Sequence, residues 1–297
     1  MKAFVAAPIV QSRSIGRVAE ALAKYAPSSV GIVTNERDAD LVVLHVIGRR
    51  DRMLSKAQTV TRAGQRYAVV QYVLKSTQKP RALDWHNLWA FAACVWSYLD
   101  LPAALAEDWD EVSGGFGIPF YHAPLGVEAD VFTFAGEHEM GLMPFVMTTG
   151  QSWLTESVRE VAIAAQRVGA YVVHLGPNIG HGLTCVTDIP DRALMAFYRR
   201  CDFVSGLRRI EGFELPAAEG LLCGARPIMF NLPCYRSWYD GGLAEFIEET
   251  DRDGVIDQLE VLFRRGARPV TAEERAIAVK RFHWPTIIRG FWDRVLA

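Results

Sequence analysis

The sequence predicts an α/β protein with two parallel sheets, and three observations carry that prediction. Short apolar runs, continuous and rich in β-branched residues, recur at residues 2–9, 29–33, 41–47 and 67–74. Strands buried on both faces read this way, without the alternation of a half-exposed strand. Polar or amphipathic helix-like segments separate the runs, which is the βαβ pattern of a parallel sheet. The pattern restarts after residue 144, and a chain of 297 residues accommodates two such halves at about 150 residues per domain.

Each element has its own reason. Residues 2–9 read as the first strand. SIGR at 14–17 opens an amphipathic stretch over 18–25. Residues 83–105, rich in Trp and Ala, read as one helix, and residues 120–126 as a strand ending in a turn. In the second half, strands are expected at 145–149, 170–175, 203–206 and 227–231, and helices at 156–168, 192–200, 216–222 and 256–263. GPNIGHG at 176–182 is a loop. Pro216 suits the first turn of its helix, where a missing N–H costs nothing. No low-complexity segment or short-period repeat interrupts this order.

Composition sets the limits. Half the residues are apolar and 22% are charged, a globular balance. The net charge of −2 points to no class of partner. Five cysteines (Cys94, Cys185, Cys201, Cys223, Cys234), odd in number and without a CxxC, argue against a zinc ribbon and a disulfide scaffold. A reducing, cytoplasmic location is therefore expected. The opening MKAFVAAPIV is too short for a signal sequence, and no apolar stretch is long enough to span a membrane.

Charge is unevenly placed. Residues 1–81 carry 14 Lys and Arg against 5 Asp and Glu, whereas residues 82–130 carry 8 acids and no base. The bases concentrate in Arg49, Arg50, Arg52, Lys56, Arg62, Arg66, Lys75, Lys79 and Arg81, opposed by Asp51. Two readings stand: a solvated helix face, or a surface that receives a polyanion such as nucleic acid or anionic lipid. On the second reading Arg49, Arg50 and Arg52 serve the acceptor. His45, ending the strand at 41–44, either joins them or is a satisfied strand-end histidine.

The informative segment is residues 198–228, YRRCDFVSGLRRIEGFELPAAEGLLCGARPI. A strand at 203–206 feeds a loop, and a helix starts at Pro216. The N–H groups of Phe213, Glu214 and Leu215, together with the helix dipole, make an anion site. Glu219 follows Glu211 by eight residues, one turn into the helix. Two carboxylates thus flank a phosphate-friendly helix start. A sugar-nucleotide needs both: donors for the diphosphate, and acceptors for ribose and sugar hydroxyls.

These residues resemble the retaining GT-B glycosyltransferases, most closely glycosyltransferase family 4. Glu211 and Glu219 match its E-x7-E motif, and EGFELPAAEGLLCGARPI is similar to that family's EGFGLPxLEAMACGxPV. PLGVEADVF at 124–132 resembles PNGVDxxxF at the passage between domains, and SIGRVAEALA at 14–23 the first glycine loop and helix. The resemblance implies two facing Rossmann-like domains, an acceptor domain at 1–130 and a nucleotide-sugar domain at 131–281. A C-terminal helix at 282–297 packs back on the first. It implies that Glu219 holds the ribose, that Glu211 faces the donor sugar, and that Gly212, Phe213, Glu214 and Leu215 touch sugar and phosphates through their backbone. Gly16, with Arg17 beside it, approaches the diphosphate from the other domain.

The sequence also departs from that pattern. An Arg and then a Lys are expected after the first strand of the second domain, to neutralise the leaving diphosphate. Here the place reads TTGQSWLT at 148–155, with Gly150 and then Gln151 where Arg is expected, and no Lys. Arg208 and Arg209 are the first candidates to supply the charge, with Arg159 and Arg17 behind them. The family's histidine has no clean match; Tyr72 or Lys75 occupies its neighbourhood. His86 with Trp85 and Trp89 is either core or an acceptor platform. Asp108-Trp-Asp110 is formally a DxD but lies in an acidic helical run, so no metal site is expected.

The implied activity is transfer of a sugar from a nucleotide-diphosphate-sugar, a UDP-sugar, with retention and without a metal or other cofactor. Possible acceptors are a hydroxymethylated base in phage DNA, an envelope glycan, a lipid or a small molecule. A rival of another class is a sugar-nucleotide-binding protein without transferase activity.

Overall fold

The computed structural model describes residues 1–6, 13–47, 50–74, 82–105, 119–134, 136, 143–150, 156–178, 180, 182–209 and 212–297. Glu211, Gln151, Arg49, Lys75, Asp108, Asp110 and His181 lie outside the described residues. The chain forms two compact units, Met1–Gly126 with Trp284–Ala297, and Val127–His283.

The first unit holds β1 (Lys2–Val5), β2 (Gly31–Ile32), β3 (Leu41–Val46), β4 (Arg66–Gln71), β5 (Val95–Ser97) and β6 (Phe120–His122). Their order is β2-β1-β3-β4-β5-β6, with every pairing parallel. All six residues of β3 are buried, as its unbroken apolar run requires. Helices α1 (Arg13–Lys24), α2 (Arg50–Arg62), α3 (Ala82–Trp89) and α4 (Leu101–Ala104) connect the strands.

Here one sequence expectation fails. Residues 83–105 are not a single helix, because α3 ends at Trp89 and β5 pairs between β4 and β6. The Ala-rich composition hid a three-residue strand whose Val95, Trp96 and Ser97 are all buried. Asp100 then caps α4 by accepting from the Ala103 N–H. Trp85 and Trp89 are core, their rings stacked at 6.0 Å, and the Trp89 indole donates to Gln71. They are not an acceptor platform.

The second unit holds β7 (Phe145–Thr149), α5 (Val158–Val168), β8 (Tyr171–Leu175), β9 (Thr184–Val186), α6 (Asp191–Tyr198), β10 (Phe203–Ser205) and α7 (Leu215–Leu222). β11 (Arg226–Phe230), α8 (Pro233–Tyr239), β12 (Glu245–Ile247), α9 (Arg252–Arg265) and α10 (Ala272–Arg281) follow. The sheet is again wholly parallel, ordered β12-β11-β10-β7-β8-β9. Asp202 ties β10 to β7, its carboxylate accepting from the Phe145 N–H at 2.7 Å. Arg226, fully buried, pairs with Glu274 at 2.9 Å and donates to the carbonyls of Gly242, Arg268 and Pro269. That cluster fastens α10 and its preceding loop to β11.

The last helix, α11 (Trp284–Leu296), belongs to the first unit. Its Trp292 indole donates to the Leu22 carbonyl of α1, and Arg66 donates to the Val295 carbonyl. Trp284 lies so close to Gly126 that any Cβ there would run into its ring.

Candidate functional site

Strand order locates the site before any residue does. Numbered within its own unit, the second sheet runs 3-2-1-4-5-6, so the order reverses between β7 and β10. Open parallel sheets bind ligands at that reversal, outside the carboxyl ends of the strands. β7 ends in Thr149, and the loops leaving β7 and β10 carry Gly150, Arg208 and Glu214.

Arg208 is the hub of this place. Its Nη1 donates to Glu156 and its Nε pairs with Glu214 at 3.0 Å, while Nη2 lies 3.3 Å from the Thr149 hydroxyl. Its own carbonyl accepts from Tyr235. A short antiparallel bridge joins residues 156 and 208 through the backbone. The Glu156 carboxylate sits against Gly150, whose φ of 125° favours glycine and whose missing Cβ makes room for that carboxylate. Both glutamates are buried, at 7% and 2% exposure. Two carboxylates thus share one guanidinium.

His174 supports the floor. It lies on β8 beside Thr148, fully buried, with Nδ1 2.9 Å from the Thr148 hydroxyl. Burial lowers its pKa, against smaller upward pulls from the Gly150 backbone and Glu156, so the ring is neutral at pH 7. Its Nε2 is buried without a hydrogen-bond partner among the described residues.

Helix α7 starts at Leu215, with Glu214 as its N-cap and Pro216 in its first turn. The Glu214 side chain makes no capping bond and reaches Arg208 instead. Phe213 is core, its ring packed on Tyr239 and Phe282, so only its backbone is available to a ligand. Glu219 is 2% exposed, and its Oε2 accepts from the Tyr198 hydroxyl at 3.0 Å.

Several of the other candidates have partners of their own. Arg209 pairs with Glu249 at 3.3 Å, donates to Ser157, and lies over the Phe230 ring. Arg159 is exposed. Gly16 and Arg17 lie inside the opening turns of α1, not in a loop before it. In the first unit the strand order reverses between β1 and β3. His45, next to the end of β3, is buried there with Nδ1 2.8 Å from the Tyr72 hydroxyl. Burial depresses its pKa to about 4, and its Nε2 has no hydrogen-bond partner among the described residues. Arg50 and Arg52 are exposed on α2, Arg50 beside Asp51 at 3.2 Å.

Sequence reasoning missed Glu156, Thr149, His174 and Tyr198. Tyr198 closes the helix before β10 and stands 21 residues before Glu219. Glu156 had no local signal, because its partner lies 52 residues away.

No family model matches the chain, and neither does any curated protein. Solved structures do match. Sucrose-phosphate synthase from Thermosynechococcus elongatus superposes with a TM-score of 0.74 at 12% identity, over 98% of this chain and 97% of that one. HepE from Anabaena in complex with UDP gives 0.72 at 10% identity over 99% of both. A glycosyltransferase from Rickettsia africae gives 0.69 at 10% identity, over 99% and 97%. The class that the fold defines is therefore GT-B, two six-stranded parallel α/β units with the last helix returned to the first.

Proposed function

We propose that the protein is a glycosyltransferase that moves a sugar from a UDP-sugar to an acceptor, with retention at the anomeric carbon. The observation that supports this most is the position of Gly150, Arg208, Glu214 and the start of α7 at the strand-order reversal of the second unit. HepE, of the same fold, was solved with UDP and with UDP-glucose.

In this reading Glu219, oriented by Tyr198, accepts from the ribose hydroxyls. Backbone N–H groups of residues 212–215 and the Arg208 guanidinium meet the diphosphate, bordered by Gly150 and Gln151. Glu211 faces the donor sugar. Catalysis consists of stabilising the negative charge that grows on the departing diphosphate. The acceptor attacks from the same face, and a phosphate oxygen takes its proton, so no protein nucleophile is needed. The positive field comes from Arg208 and the helix start, and the reading includes no metal or cofactor.

UDP release from UDP-glucose, UDP-galactose and UDP-N-acetylglucosamine tests this. Enzyme-dependent UDP release from at least one donor is expected, and absence of both release and UDP binding overturns the reading.

A second reading has its own support. Gln151 stands where the resemblance expects Arg and no Lys follows it, which suits a protein that binds sugar-nucleotides without transferring the sugar. UDP binding without UDP release from any donor separates the two. For the acceptor, the exposed Arg50 and Arg52 on α2 support a polyanion, and DNA with hydroxymethylated bases is the sharpest form of that proposal. A gel shift that weakens steeply with salt is then expected. No shift at low salt returns the acceptor to the glycan or lipid class.

A further inference from the structure

Arg208 carries an arrangement that the proposed chemistry does not explain. A guanidinium that serves a diphosphate should present its donors to it. Here Nη1 faces Glu156, Nε faces Glu214 and Nη2 faces Thr149. The arginine side chain is 15% exposed. Counted formally, Arg208, Glu156 and Glu214 sum to −1, and like charges repel strongly where water is scarce. An incoming diphosphate therefore meets a cation whose field is already cancelled.

We propose that Glu156 is a built-in competitor of the donor diphosphate for Arg208, so that donor binding requires the guanidinium to exchange Glu156 for phosphate oxygens. This rests on the donor-site reading given above. Glu156, and not Glu214, is the partner displaced. Glu214 occupies the N-cap position of α7 and is 2% exposed, and its carbonyl is held by the Tyr239 hydroxyl at 2.7 Å. The Glu156 carboxylate lies against Gly150, at the carboxyl end of β7 where the ligand approaches. The exchange asks only the Glu156 side chain to turn, since its backbone is bridged to residue 208.

The exchange has a chemical consequence. Arginine binds carboxylate and phosphate with the same paired donors, so the two compete for one fork. Donor affinity is thereby held below what Arg208 alone would allow. Only a ligand with a diphosphate gains from removing the competitor; a nucleoside does not.

The test is a calorimetric titration of UDP and of uridine into wild type, Glu156→Gln, Glu156→Asp, Arg208→Gln and the double variant Glu156→Gln/Arg208→Gln. Glu156→Gln should bind UDP ~10-fold more tightly, a difference readily resolved, with uridine unchanged. Glu156→Asp keeps the charge but withdraws the carboxylate, so a smaller gain in UDP affinity is expected. That variant also decides the matter should Glu156→Gln not fold. The gain should vanish in the Arg208→Gln background. Equal or weaker UDP binding by both Glu156 variants, with Arg208-dependent binding in wild type, overturns the competitor and leaves the donor site standing. A gain that persists without Arg208 is a simple charge effect and also overturns it. No UDP binding by any variant removes the donor-site reading, and this inference with it.

Discussion

The Tyr198 hydroxyl, from the helix before β10, lies 3.0 Å from Oε2 of Glu219 on the helix after it, and both residues are buried. A tyrosine O–H can only donate to a carboxylate, so this contact fixes the rotamer of Glu219. Removing the carboxylate should weaken UDP binding by about 1.5–3 kcal/mol, the worth of a hydrogen bond to a charged group. Tyr198→Phe should give a smaller loss with the same sign. Calorimetry on Glu219→Ala and Tyr198→Phe checks both, and unchanged affinities would show that the motif was misread.

The fold was legible because both sheets are buried on two faces. Runs such as residues 41–46 and 145–149 are continuous and apolar, and burial makes them strands. β5 was not legible, since three strand residues inside an Ala-rich stretch have no period of their own. β9 and β12, three residues each, escaped for the same reason. The start of α7 at residues 215–216 was readable from local spacing. The Glu156–Arg208 pair was not, because only the fold joins residues 52 positions apart. Gly16 was placed in a loop by its resemblance to the family's first glycine loop, yet α1 includes it.

Acid should act on Glu274 in a defined window. Burial alone would raise its pKa, but hydrogen bonds from Arg226, the Thr271 N–H and Arg268 outweigh it and hold the carboxyl at about 2. The stabilisation is complete above the ordinary glutamate value of 4.5 and is lost as pH falls through about 2. Removing the carboxylate leaves buried Arg226 unpaired, so Glu274→Ala should cost about 3–5 kcal/mol. Urea melts of Glu274→Ala and wild type at pH 7 measure that cost. Melts of wild type and Glu274→Gln from pH 5 to 2.5 should converge as acid is added.

His45 should act at higher pH, by gaining a charge where Glu274 loses one. It is neutral in the fold down to about pH 4, whereas the unfolded chain protonates it near 6.5. Stability is therefore complete above pH 6.5 and falls toward pH 4, by about 3 kcal/mol for a shift of this size. His45→Gln should flatten the profile in that window. An NMR titration that shows His45 protonating near pH 6.5 in the folded protein would contradict this.

Product stereochemistry should follow the donor. An α-linked UDP-sugar should give an α-linked product, read from the anomeric coupling constant, and turnover should survive EDTA. An inverted linkage would remove the proposed front-side attack.

The most direct test of the central claim is a structure of the protein crystallised with UDP. The diphosphate is expected at the carboxyl ends of β7 and β10, hydrogen-bonded to Arg208 and the backbone of residues 212–215, with the ribose on Glu219. UDP bound elsewhere, or absent at saturating concentration, would contradict it.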